Sequence, residues 1–131
     1  MTHEKLFKLA CAARENAYAP YSKYKVGACI LTESGKTFTG CNFENASYGA
    51  TICAERCAVS NAIANGVRKF TKVAISSDEG YAWPCGICRQ VLNEFKSGDM
   101  VVMVGGKNTP WKTKMLSELL PESFGPNDLN V

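Results

Sequence analysis

Apolar positions early in the chain recur at helical spacing. Leu6, Leu9, Ala10, Ala13 and Ala17 share one face and Pro20 lies just past them, which predicts a first helix. The period then drops to two. Tyr24, Val26, Ala28 and Ile30 alternate as a strand, Ser34-Gly35 reads as a tight turn, and Thr37 to Phe43 reads as a second strand. A second helix is expected from about Ile52 to Gly66, a residue suited to a left-handed cap. Phe70 to Ser76 reads as strand. Helical spacing returns from about Cys85 to Phe95, with Cys88, Val91, Leu92 and Phe95 on one stripe and Ser97-Gly98 closing it. Met100 to Val104 is a short apolar strand. A last strand is expected near Trp111 to Thr113, and a short helix before Leu119-Leu120-Pro121. This order predicts an α/β fold with three layers, α/β/α, around a mixed five-stranded sheet.

Length and composition narrow the picture. With 131 residues, positions 1–131 suffice for one domain and not for two. A hydrophobic fraction of 46% and a charged fraction of 21% exclude disorder. No apolar run approaches the ~20 residues that cross a bilayer, so no membrane partner is expected. The opening Met1-Thr2-His3-Glu4-Lys5 has no basic segment followed by an apolar one, so export is not indicated. A net charge of +3, with lysines and arginines scattered and no interleaved aromatics, argues against nucleic acid as a partner. Gly105-Gly106-Lys107 lacks the spacing of a phosphate loop and reads as a turn.

Seven cysteines change the picture more. An odd number without an export signal argues for a reducing, cytoplasmic setting with some thiols on metal. Cys11, Cys29 and Cys41 sit in apolar or alternating contexts and read as small core residues. His3, the lone histidine, is expected to be exposed. The informative pattern is Cys53-Ala54-Glu55, followed 32 positions after Cys53 by Pro84-Cys85-Gly86-Ile87-Cys88. Both clusters fall where a loop enters a predicted helix, and free N–H groups and the positive dipole end favour thiolate there. Three thiolates can hold Zn²⁺ and leave its fourth position to water, which becomes hydroxide near neutral pH. Glu55 then has a task, moving the protons that hydrolysis needs moved.

A closed four-thiolate cage using Cys57 is the rival, and would make the chain a zinc-stabilised binding module. Cys57 lies a full turn inside the helix, and a cage would leave Glu55 without work. A Cys57→Ala variant separates the two. One geometric condition also applies. Residues two apart on a helix diverge, so Cys53 and Glu55 share a site only if it lies beyond the helix end. Arg56 and Arg89 are placed to donate to the sulfurs and draw off negative charge. For Arg89 an ordinary ion pair on the helix face is an equal reading.

Cys-x-Glu with Pro-Cys-x-x-Cys is similar to the established signature of zinc-dependent deaminases. Tyr18-Ala19-Pro20-Tyr21-Ser22, Val26-Gly27-Ala28, Gly40-Cys41-Asn42-Phe43-Glu44-Asn45-Ala46, Cys53-Ala54-Glu55-Arg56, Cys88-Arg89-Gln90-Val91 and Leu119-Leu120-Pro121 extend the match. Together they resemble the cytidine deaminases, specifically the short homotetrameric form with three cysteine ligands. The resemblance implies a zinc ion on Cys53, Cys85 and Cys88, with Glu55 as proton shuttle and Arg56 offsetting thiolate charge. It implies that Asn42 and Glu44 bind the ribose 3′-hydroxyl. Two residues apart on a strand, they would project from one face, and an amide beside a carboxylate suits a group that both donates and accepts. The Ala54 backbone would meet the pyrimidine carbonyl, and Phe124 from a neighbouring subunit would cover the base. Tyr24 stands where the family usually has Phe, so its hydroxyl would alter the pocket wall.

The implied reaction serves pyrimidine salvage. It is hydrolysis of cytidine, and of 2′-deoxycytidine, to the uridine product and ammonia, with zinc-bound hydroxide attacking C4. Deaminases of nucleic acid would show a histidine in place of Cys53 and a basic or aromatic path. Asn42 and Glu44 favour plain ribose over an aminonucleoside antibiotic.

Overall fold

A computed structural model describes residues 1–129. Helix α1 spans His3–Arg14, followed by strands β1 (Val26–Thr32) and β2 (Thr37–Cys41) and helix α2 (Ala54–Ala64). Strand β3 (Phe70–Ser77), helix α3 (Gly86–Phe95), strands β4 (Lys96–Gly106) and β5 (Thr109–Met115) and the short helix α4 (Leu116–Leu119) complete the order. The five strands form one sheet in the order β2-β1-β3-β4-β5. Only β3 and β4 run parallel, joined through α3, while the other pairs are antiparallel. The mixed five-stranded α/β fold read from the sequence is therefore the one observed.

Two apolar layers sandwich the sheet. Leu6, Phe7 and Ala10 of α1 pack on Cys29, Leu31, Ala74 and Met103. On the opposite face, Ala54, Ala58 and Ala62 of α2 and Leu92 of α3 pack on Ala28, Ile30, Val73, Ile75, Val102 and Val104. Neighbouring residues of β1 thus go to opposite layers, and both are buried. The strand is covered along nearly its whole length, as expected of a sheet with helices on both faces.

Two glycines let helices lie directly on strands. A Cβ on Gly27 would sit 2.2 Å from the carbonyl oxygen of Ala10, and one on Gly40 would sit 2.3 Å from the amide nitrogen of Ala58. The first seats α1 on β1 and the second seats α2 on β2.

Other boundaries differ from the sequence reading for local reasons. Helix α2 starts two residues later than expected because Ile52 is held extended, exchanging both backbone hydrogen bonds with Phe43 (3.1 and 3.0 Å). Strand β4 begins at Lys96, directly after α3, so Ser97-Gly98 belongs to the strand; Gly98 has φ +70° at the point where its register with β3 shifts. His3 is half-buried rather than exposed, its Nε2 3.2 Å from Lys72 Nζ. No helix is long and apolar enough to cross a membrane among the described residues.

Candidate active site

The N-termini of α2 and α3 converge beside the start of β1. Cys53 is the N-cap of α2 and Cys85 the N-cap of α3, both extended, and neither side chain caps its own helix. Cys88 lies in the first turn of α3 and is fully buried. The three sulfurs lie within 4.8 Å of one another, and among the described residues no other group of this kind exists. Cys53 is half-buried and Cys85 exposed, so the cluster runs from the interior to the surface. Cys57 is not part of it. It sits beside Cys41, where burial first and the neighbouring Cys57 thiol second push the Cys41 thiol up. The geometric condition on Cys53 and Glu55 is met because Cys53 precedes the helix while Glu55 occupies its first turn.

This donor set suits a soft dication. Sulfurs around tetrahedral zinc lie about 3.8 Å apart for bonds of about 2.3 Å, a small adjustment from the spacing seen. Charge makes the same point. Hydrogen bonding from Cys88, opposed by burial and assisted by Arg56, holds Cys53 down to about 5. Sharing that proton and burial push Cys88 upward. Three adjacent thiols without a cation can support one thiolate comfortably and not three, so metal binding and proton release go together.

Glu55 is 5% exposed, and burial pushes its carboxyl up to about 7. Arg56 donates from Nη2 to Cys53 Sγ at 3.4 Å, and the Cys53 thiolate foremost strengthens its hold on its proton. Arg89 does not reach the sulfurs. Its Nε donates to the Pro84 carbonyl (2.6 Å) and its Nη1 to that of Leu119 (2.8 Å), bracing the loop before Cys85 against the end of α4.

A cavity of about 210 Å³ opens at the cluster, walled by Asn42, Thr51, Cys53, Ala54, Glu55, Trp83 and Cys85 among others. A larger one of about 410 Å³ is lined by Tyr21, Ser22, Glu44, Tyr48 and Thr51. Thr51 is common to both. Asn42 and Glu44 therefore stand in adjoining hollows, just beyond the end of β2.

Both side chains are already engaged. Asn42 accepts from Val26 N (2.8 Å) and donates to Tyr24 O (3.0 Å). Glu44 Oε1 accepts from the amides of Tyr21 (3.0 Å) and Ser22 (3.1 Å), and Oε2 accepts from the Ser22 hydroxyl. The Ser22 hydroxyl above all holds this carboxyl below its ordinary range.

Among the described residues, Tyr24 and Phe124 line neither cavity. The Tyr24 hydroxyl donates to the Glu79 carbonyl at 2.8 Å. Phe124 is 59% exposed, while its carbonyl is held by Gln90 Nε2 (2.9 Å) and Asn93 Nδ2 (3.1 Å) of α3. Sequence reasoning missed Thr51 and Trp83 as cavity walls. Trp83 had a signal, its position just before Pro84-Cys85; Thr51 had none.

Thiols and a buried acid at two converging helix ends of an α/β sandwich are the architecture of a metal-assisted hydrolase. Residues 1–104 match a family described as the cytidine and deoxycytidylate deaminase zinc-binding region. A cytidine deaminase of Sporosarcina psychrophila is 44% identical over 99% of this chain and 96% of its own length. One from Halalkalibacterium halodurans is 42% identical over 99% of each. The crystal structure of cytidine deaminase from Burkholderia pseudomallei superposes with a TM-score of 0.90 at 45% identity, covering 95% of this chain and all (100%) of that one. That of the Mycobacterium tuberculosis enzyme gives 0.84 at 36%, covering 95% and 98%. The chain belongs to the cytidine deaminase family, and it is an enzyme.

Proposed function

We propose that this chain, as one catalytic domain over residues 1–131, hydrolyses cytidine and 2′-deoxycytidine to the corresponding uridine and ammonia. The observation that carries the reading is a triad of sulfurs within 4.8 Å of one another, with the buried carboxyl of Glu55 in the first turn of the same helix end. Cys53, Cys85 and Cys88 would hold zinc, which supplies the Lewis acidity that makes hydroxide available near neutral pH. Arg56 offsets part of the thiolate charge.

Glu55 carries the protons. As carboxylate it takes one from the attacking water, and as acid it returns it to N3 of the pyrimidine while oxygen bonds to C4. A second proton, from the hydroxyl now on C4, passes to the amino group through Glu55. The C4–N bond breaks as the C4 carbonyl forms, and ammonia leaves. Burial, which raises this carboxyl, makes it a readier proton acceptor than an exposed carboxylate. The Ala54 backbone, at the wall of the same cavity, meets the pyrimidine carbonyl.

Asn42 and Glu44 bind the sugar. After its internal bonds Asn42 keeps one N–H free and Glu44 Oε2 keeps one acceptor position. That inventory fits a single hydroxyl, the 3′, which favours equal acceptance of ribose and deoxyribose. Tyr24, which lines neither cavity and turns its hydroxyl to the Glu79 carbonyl, would meet the substrate only at the margin of the site.

Assembly as a homotetramer would complete the site, with Phe124 covering the base of a neighbour. Support comes from aromatics exposed on the isolated chain, including Tyr18 (57%), Tyr48 (76%) and Phe124 (59%). Seven free thiols suit a reducing cytoplasm. The test follows cytidine absorbance with purified protein. Activity should vanish with a strong chelator and return on adding zinc, whereas turnover unaffected by complete metal removal would overturn the reading.

A further inference from the structure

Ser22 has no assigned part in the proposed reaction, yet its hydroxyl links the two sugar-binding candidates through the Tyr24 backbone. It donates to Glu44 Oε2 and accepts from the amide of Tyr24 at 3.1 Å. The carbonyl of that same Tyr24 accepts from Asn42 Nδ2 at 3.0 Å. Glu44, Ser22, the Tyr24 backbone and Asn42 therefore form one unbroken hydrogen-bonded chain. The link crosses a tight loop in which Lys23 adopts φ +59°, a left-handed conformation unfavourable for lysine, so the loop is held in place by its bonds and not by preference.

We propose that Ser22 is a positioning residue for sugar recognition, fixing Glu44 relative to Asn42 so that their free donor and acceptor meet one sugar hydroxyl. This rests on the assignment of Asn42 and Glu44 to the 3′-hydroxyl. A carboxylate has about four acceptor positions, and Glu44 fills three of them within the loop: two on Oε1 by amides and one on Oε2 by Ser22. Remove the Ser22 hydroxyl and Oε2 has two open positions and no fixed orientation. The carboxylate can then turn about its remaining amide contacts, and the bond to the substrate loses its preset direction. A charge-assisted hydrogen bond made from a preorganised acceptor is among the stronger polar contacts, so its loss is measurable.

Steady-state kinetics on cytidine and 3′-deoxycytidine test this. Wild type should prefer cytidine. Ser22→Ala should lower kcat/KM for cytidine about tenfold, mostly through KM, and leave 3′-deoxycytidine nearly unchanged. Ser22→Thr, which keeps the hydroxyl, should restore most of the preference. Ser22→Cys, a weaker donor of similar size, should fall between, and substitutes if the alanine variant does not fold. Equal losses on both substrates would show that Ser22 only braces the loop, and would overturn the inference while sparing the Glu44 assignment. A wild type indifferent to the 3′-hydroxyl would remove that assignment and the inference with it.

Discussion

Glu55 sits where a carboxylate is least at ease, buried in the first turn of α2 beside the Cys53 sulfur, and its acidity follows from that place. Burial raises it from its ordinary 4.5 to about 7 in the folded chain. In metal-free protein, both folded and unfolded states hold the proton below pH 4.5. Between there and about 7 the unfolded state releases it first, so stability falls as pH rises. The loss amounts to about 3 kcal/mol by about pH 8, since each pH unit between the two values costs about 1.4 kcal/mol. Glu55→Gln has no such proton, so denaturant titrations should show it gaining on wild type across that window. A constant difference between the two proteins throughout it would contradict the effect of burial. The same variant should keep its zinc, measured by elemental analysis, and lose turnover by about 10²–10⁴-fold. Near-native turnover would remove Glu55 from the proton path.

At this scale the sequence was legible where spacing alone defines chemistry. Two cysteine clusters at helix entries predicted that Cys53, Cys85 and Cys88 come together, and their sulfurs lie within 4.8 Å of one another. It was silent where a side chain's partners are distant in the chain. Nothing in Asn42 foretold its bonds to Val26 and Tyr24, and Arg89 stood between two readings until its partners proved to be the Pro84 and Leu119 carbonyls.

Elements matter here by where they begin. A second helix starting at Ile52, as periodicity suggested, would have put Cys53 inside the first turn. The pairing of Ile52 with Phe43 delays the helix, leaves Cys53 as N-cap and lets its sulfur meet those of Cys85 and Cys88. Backbone pairing between loops overrides propensity, and no local pattern reports it. Gly40 fixes the other coordinate, the distance of α2 from β2. Gly40→Ala would force a Cβ to within 2.3 Å of the Ala58 amide nitrogen. Helix α2 must then lift, at a cost of about 1–3 kcal/mol in denaturant unfolding, with zinc affinity reduced because Cys53 and Glu55 move with it. An alanine variant of wild-type stability and zinc content would show that this contact does not hold the site.

For the whole molecule the decisive surface is the one left apolar. Alternation and helical stripes predicted the sheet and its two covered faces, because burial within one chain writes itself into periodicity. A surface that meets another copy carries no such period, and the proposed role of Phe124 came from resemblance alone. If Phe124 covers a neighbour's base, Phe124→Ala and Glu55→Gln proteins, each impaired, should regain activity when unfolded and refolded together. Hybrid assemblies would then contain sites with an intact Glu55 and an intact Phe124 from different chains. Recovery no greater than the sum of the separate proteins would confine Phe124 to its own subunit.

Catalysis in this scheme requires that three thiolates hold one zinc ion and leave one position for solvent. X-ray absorption at the zinc edge on stoichiometrically loaded protein measures this directly. The spectrum should show three sulfur neighbours at about 2.3 Å and one oxygen near about 2.0 Å, unchanged in Cys57→Ala. Four sulfur neighbours, reduced to three by that substitution, would close the site to water and contradict the catalytic reading.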